Sequence, residues 1–140
     1  TSDMDMADRF WGARSAGAYA FRGLLEQGTH LTFGSDAPVE SPNPFLGLHA
    51  AVTRRRPNGA PGADGWYPAQ RLALQEALAG YTTGAAYASG QEYFLGRLAR
   101  GYAADLIVLP PETDDLPPQE LYRLHPSATM VDGRWVWREA

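Results

Sequence analysis

Few side chains in this sequence can do chemistry, and Asp36 is singled out by its position. It lies in Gly34-Ser35-Asp36-Ala37-Pro38, directly after the β-prone run Thr29-His30-Leu31-Thr32-Phe33. A carboxylate just past the C-terminal end of a strand stands where α/β folds bind ligands and where barrels place catalytic groups. Gly34 lets the chain turn sharply, and Pro38 stiffens the backbone behind the carboxylate. The same spacing also fits an aspartate used as a turn former or helix cap.

The three histidines read differently. His49 shares a helical face with Phe45 and Val52, the pattern of a packed, hydrogen-bonded histidine rather than a ligand. His30 opens the strand at the end opposite Asp36 and reads as a surface or edge residue, and His125 precedes Pro126 in a loop without evident chemistry. A Ser35/Asp36/His49 hydrolytic triad lacks the Gly-x-Ser-x-Gly turn that would expose its nucleophile. Trp11, Trp66 and Tyr67 are candidates for the rim of a substrate pocket, whereas Trp135 and Trp137 are expected to pack a sheet.

Composition narrows the chemistry further. The chain has 140 residues and a net charge of −4, and all 12 of its basic side chains are arginine. Without lysine there is no Schiff base, P-loop lysine or carbamylated-lysine metal bridge from this chain. Without cysteine there is no disulfide, thiolate site or thiol nucleophile. The acidic balance argues against a nucleic-acid partner, and Arg54-Arg55-Arg56 reads as cations at the negative end of a helix. No apolar run approaches the ~20 residues needed to span a bilayer, so no membrane partner is expected. The acidic N-terminus lacks a signal-peptide pattern, and a cytoplasmic location is the expectation.

The elements that position these residues can be read in order. Residues 15–27 have helical spacing, with Gly28 as the stop. A strand follows at 30–33. Asn43 then caps a helix that begins at Pro44 and is closed by Arg54–Arg56 and Pro57-Asn58-Gly59. Residues 57–68, rich in Pro and Gly, form a loop long enough to serve as a lid or rim. Residues 74–88 read as one helix, and Gly80 and Gly84 within it suggest close approach of another backbone. A strand at 104–109 precedes an acidic, proline-containing excursion and one helical turn at 119–122. Asp132-Gly133 joins strands 128–131 and 134–138 in a hairpin, with Trp135 and Trp137 on one face and Arg134, Val136 and Arg138 on the other. The organisational boundary falls near 90–95, dividing the chain into residues 1–92 and 93–140. One inner parallel strand cannot satisfy both its edges, which suggests a piece of a larger fold or an oligomer that covers them.

Five stretches, taken in order, resemble one family. They are Ala18-Tyr19-Ala20-Phe21-Arg22, Leu31 to Val39, and Asn43-Pro44-Phe45 with Ala50 to Arg54. Leu74-Gln75-Glu76-Ala77-Leu78 follows, and then Leu95-Gly96-Arg97-Leu98 with Gly101 to Leu109. Together they resemble the amidohydrolase superfamily, in its amidohydrolase-3 branch of YtcJ-like and N-substituted formamide deformylase-like proteins. The resemblance implies an α/β chain: the C-terminal end of a (β/α)8 metal-dependent hydrolase barrel, plus the last strands of a small β-sandwich. It implies Asp36 as the carboxylate on the eighth strand, contacting a divalent metal, zinc being expected, or its bound water. Asp36 would take the proton of a water attacking a carbonyl and deliver it to the leaving nitrogen. The implied substrates are small molecules with amide-like or N-formyl bonds.

The family's other ligands, a His-x-His pair, a lysine or acidic residue, and two further histidines, have no counterparts here. A full barrel needs about 250 residues. The expectation is therefore a chain that alone is inactive and binds no stoichiometric metal. The alternative is a non-catalytic folded fragment or an oligomerising module.

Overall fold

A computed structural model describes residues 1–139. Five short helices precede a three-stranded antiparallel sheet: α1 (Met4–Trp11), α2 (Phe21–Glu26), α3 (Pro44–Thr53), α4 (Leu74–Tyr81) and α5 (Thr83–Ala88), then β1 (Leu106–Val108), β2 (Ala128–Val131) and β3 (Arg134–Arg138). The class is mixed α/β, as expected. No helix among the described residues is long and apolar enough to cross a membrane.

α3 begins as its sequence requires. The Asn43 side chain accepts a hydrogen bond from the Phe45 N–H at 3.0 Å, and Pro44 occupies the first turn, where its missing N–H costs nothing. Phe45, Leu48 and Ala51 of α3 join Leu72 and Ala77 in the main core, with Phe21, Phe33, Tyr81, Leu109 and Leu124 packed around it. Leu109 and Leu124 come from beyond residue 93, so this core runs across the expected boundary. A 3-10 turn at Pro118–Arg123 lies on α3 and buries Leu121. Met4, Ala7 and Trp66 form a second, smaller cluster.

The structure departs from the sequence expectations at several elements. α1 was not foreseen, and the helix expected over 15–27 survives only as α2. Tyr19 interrupts it in the left-handed region at φ +53°, held by its hydroxyl bond to Asp3 and by the Arg54 guanidinium on its carbonyl. The helix over 74–88 breaks at Thr82 (φ −118°, ψ −89°). There the Thr82 and Thr83 hydroxyls donate to the Leu78 and Ala79 carbonyls, a side-chain competition that bends helices.

The strand expected at 30–33 has no ladder. Its anchoring backbone bond runs from the Phe33 N–H to the Gly80 carbonyl at 3.1 Å. Among the described residues no parallel strand lies beside it, so nothing can satisfy a strand's two edges. The segment instead lies against α4 and α5. A Cβ at Gly80 would stand 2.5 Å from the Phe33 ring, and one at Gly84 would collide with the Leu31 carbonyl. Close approach of this segment explains both glycines: a backbone at Gly84, as expected, and a side-chain ring at Gly80.

The hairpin forms with positive φ at both Asp132 (+48°) and Gly133 (+72°), the geometry that Asp-Gly supports. A register shift at Thr129/Met130 changes the facing of the tryptophans, however. Trp137 pairs with Thr129 and Trp135 with Met130, adjacent residues that point to opposite faces. The two tryptophans are therefore on opposite faces, not one. Arg138 stacks on the Trp135 ring at 4.3 Å, as their shared face allows. Both tryptophans are more than 40% exposed, so among the described residues no second sheet covers them as expected.

Candidate functional site

The Phe33–Gly80 bond holds the chain on α4 three residues before Asp36. Asp36 itself takes a left-handed conformation at φ +50°, which aspartate tolerates better than most residues. Its carbonyl accepts the Val39 N–H at 2.9 Å, and the Glu40 N–H donates to the Ser35 carbonyl at 3.2 Å, closing a tight turn. A Cβ at Gly34 would lie 3.5 Å from Asp36 Oδ1, an ordinary contact, so the carboxylate does not require a glycine there. The side chain is exposed, and no hydrogen bond or ion pair engages it among the described residues. An exposed carboxylate without a partner can accept a proton or ligate a cation. No group of three His, Asp or Glu side chains converges among the described residues, so these residues alone do not fit a metal centre, which takes three or four protein ligands when the metal is zinc.

The aromatic candidates fall elsewhere. Trp66 is buried against Met4 and Ala7, and its Nε1–H is shared between the two carboxylate oxygens of Asp8 at 3.0 and 3.1 Å. The Tyr67 hydroxyl lies 2.6 Å from Ser15 Oγ, which donates to Asp8 Oδ1 at 2.6 Å. Trp66 and Tyr67 are thus sewn to the N-terminal segment, and this end of the loop at 57–68 does not stand off as a lid. Trp11, at the end of α1, is 49% exposed. No hydrogen bond, ring contact or ion pair among the described residues joins Asp36 to Trp11, Trp66 or Tyr67.

Sequence reasoning missed Arg54. It caps α3 at φ +58° but does not face the helix end as a solvated cation. It is 4% exposed. Its Nε donates to the Trp66 carbonyl at 3.0 Å and its Nη1 to the Tyr19 carbonyl at 3.1 Å. The guanidinium lies over the Trp66 and Phe21 rings at 5.1 and 5.8 Å. Burial pulls its pKa below the usual arginine value. Tyr19, Arg54 and Tyr67, all left-handed, thus meet around Trp66. No local signal separates Arg54 from its neighbours, and Arg56 makes an exposed ion pair with Asp5 instead.

Two further residues behave as the sequence implied or extend it. His49 is buried within α3, as expected of a packed histidine, but its Nδ1 lacks the hydrogen-bond partner expected with it. Glu76 forms a two-pronged pair with Arg22 at 2.8 and 2.5 Å and also accepts the Ala73 N–H at the start of α4. Arg22 first, and that N–H next, hold the Glu76 carboxyl below the ordinary glutamate range.

Residues 3–137 match the model of the amidohydrolase family. YtcJ of Bacillus subtilis (strain 168), a protein named as an amidohydrolase, is 32% identical over 133 residues, covering 95% of this chain and 25% of that protein. N-substituted formamide deformylase of Arthrobacter pascens is 32% identical over 115 residues, 82% of this chain and 20% of the enzyme. LONG AFTER FAR-RED 3 of Arabidopsis thaliana is 35% identical over 92 residues, 66% of this chain and 15% of that protein. The chain spans a quarter or less of the length of these relatives. No solved structure matches it significantly. With nearly its whole length matched, the chain belongs to the amidohydrolase family.

Proposed function

We propose that this chain is the C-terminal part of a larger hydrolase acting on C–N bonds other than peptide bonds, in small amide-like or N-formyl compounds. Residues 1–92 would be the end of a (β/α)8 barrel and residues 93–140 the last strands of its small β-sandwich. The observation that carries this reading is the family match over residues 3–137, which includes an exposed Asp36 seated on a glycine-flanked support. Asp36 is assigned proton transfer: it takes the proton of the attacking water and returns it to the leaving nitrogen, so that the amine departs neutral. A divalent metal, zinc by resemblance, would be held mainly by residues outside these 140 and would supply the activated water. Alone, the chain is inactive on this reading.

The test joins the chain to the rest of its reading frame and assays release of amine and formate from N-formyl compounds. Hydrolysis by the intact protein, lost in Asp36→Asn, supports the proposal. Equal turnover by intact protein and Asp36→Asn overturns it. A second reading, a non-catalytic module that self-associates, is favoured by the exposed apolar residues Ile107, Val131, Val136 and Trp137 on the sheet. Gel filtration distinguishes it, because a 15.3 kDa monomer contradicts self-association.

A further inference from the structure

His49 sits in the seam between α3 and the 3-10 turn Pro118–Arg123, 3% exposed. Its ring stands edge-on to Tyr122, with centroids 5.2 Å apart and planes at 77°. The Thr53 hydroxyl donates its proton to the His49 carbonyl at 2.7 Å, so only its lone pairs face His49 Nε2, 3.5 Å away. The neutral tautomer assigned on this contact carries its proton on Nε2. Nδ1, the remaining acceptor, is buried without a partner.

The charges around the seam offer a protonated ring little. Arg55, just past the end of α3, repels it. Glu120, from the turn, attracts it, but Arg123 already holds the Glu120 carboxylate at 2.6 Å. From α4, which also packs on α3, Glu76 is committed to Arg22. Burial first, and Arg55 second, keep His49 below the ordinary histidine value despite Glu120.

We propose that this seam is an acid-released latch: His49 binds a proton at Nδ1 only when the turn Pro118–Arg123 lifts from α3, so acid frees that turn from the helix that follows Asp36. The proton comes from solvent and no other bond changes. The closed seam holds the neutral ring, and the open one lets water solvate the cation.

The test uses the 140-residue chain. Imidazole NMR titration compares His49 with the exposed His30 and His125, which serve as internal references. His49 is expected to titrate at least tenfold lower in proton affinity than either. Amide exchange, corrected for intrinsic rates, is followed at Leu124, whose N–H bonds the Leu121 carbonyl, and at Ala77 in α4. Between pH 7.5 and 5.5, Leu124 protection is expected to fall about five- to tenfold, the linkage expected when an open-state histidine titrates near 6.5. Leu124 should also stay less protected than Ala77 at each pH, because the turn lifts without the core unfolding. In His49→Gln, which keeps a donor toward Thr53 but cannot titrate, Leu124 protection should stay constant. His49 titrating with the other two histidines overturns the latch, as does Leu124 protection equal to that of Ala77, or an equal pH-dependent loss in His49→Gln. Where that variant does not fold, the wild-type comparison of Leu124 with Ala77 decides, since global unfolding alone would expose both amides at one free energy.

Discussion

Gly84 lies against Leu31 so closely that a Cβ at position 84 would overlap the Leu31 carbonyl. This contact, together with Gly80 under the Phe33 ring, lets the segment leading to Asp36 lie flush on α4 and α5. Gly84→Ala should therefore destabilise the chain. Overpacking costs about 1–3 kcal/mol, and the backbone carbonyl cannot step aside, while alanine recovers about 1 kcal/mol of helix propensity. Gly23→Ala in α2 is the contrast, because its Cβ would meet only Gln70 Oε1 at an ordinary 3.9 Å. Urea unfolding should show a lower midpoint for Gly84→Ala and an unchanged or higher one for Gly23→Ala.

Arg54→Met keeps much of the packing on Trp66 and Phe21 but removes the donors to the Trp66 and Tyr19 carbonyls. A loss of about 2–4 kcal/mol is expected, because two carbonyls in that packed region lose their donors. Arg54→Lys should not restore it, since a single ammonium cannot reproduce the fork. Chemical unfolding monitored by tryptophan fluorescence measures both.

Glu76 gives a pH dependence with a defined sign. Its carboxyl is held below the ordinary value of about 4.5 by Arg22 and the Ala73 N–H. As pH falls through that value the unfolded chain takes up the proton first, so the stability this pair contributes is present above it and is lost as pH falls toward the folded value. Glu76→Gln should lower stability at pH 7 and flatten the acid side of the stability profile. Melting temperatures from pH 7 down to pH 3 check this, and parallel profiles for the two proteins would contradict it.

Asp36→Asn should separate chemistry from folding. The side chain is exposed, so chain stability should change by no more than about 0.5 kcal/mol. In the intact hydrolase the same change should reduce kcat by about 10²–10⁴-fold, the usual contribution of a positioned proton carrier. A variant that loses activity only through a lower Tm would contradict the assigned role.

Elements whose signals are local were legible from the residues. Asn43-Pro44 started α3, Asp132-Gly133 turned the hairpin, and Gly80 and Gly84 announced a close neighbour. The family could be recognised because five motifs recur in order along the chain. Asp36 was legible as a candidate through its place after a β-prone run, although that run forms no ladder among residues 1–139.

Long-range bonds decided the rest. The helix over 15–27 is interrupted because Asp3 and Arg54 hold Tyr19 in a left-handed conformation, and neither partner is near it in sequence. Trp66 is buried because Asp8, 58 residues away, accepts its N–H. The tryptophans of β3 part company because one register shift moves a strand's side chains to the other face. Propensity and spacing act over a few residues. The burial of Arg54 and the facing of Trp135 depend on which distant backbone supplies the next hydrogen bond, and only the folded chain specifies that.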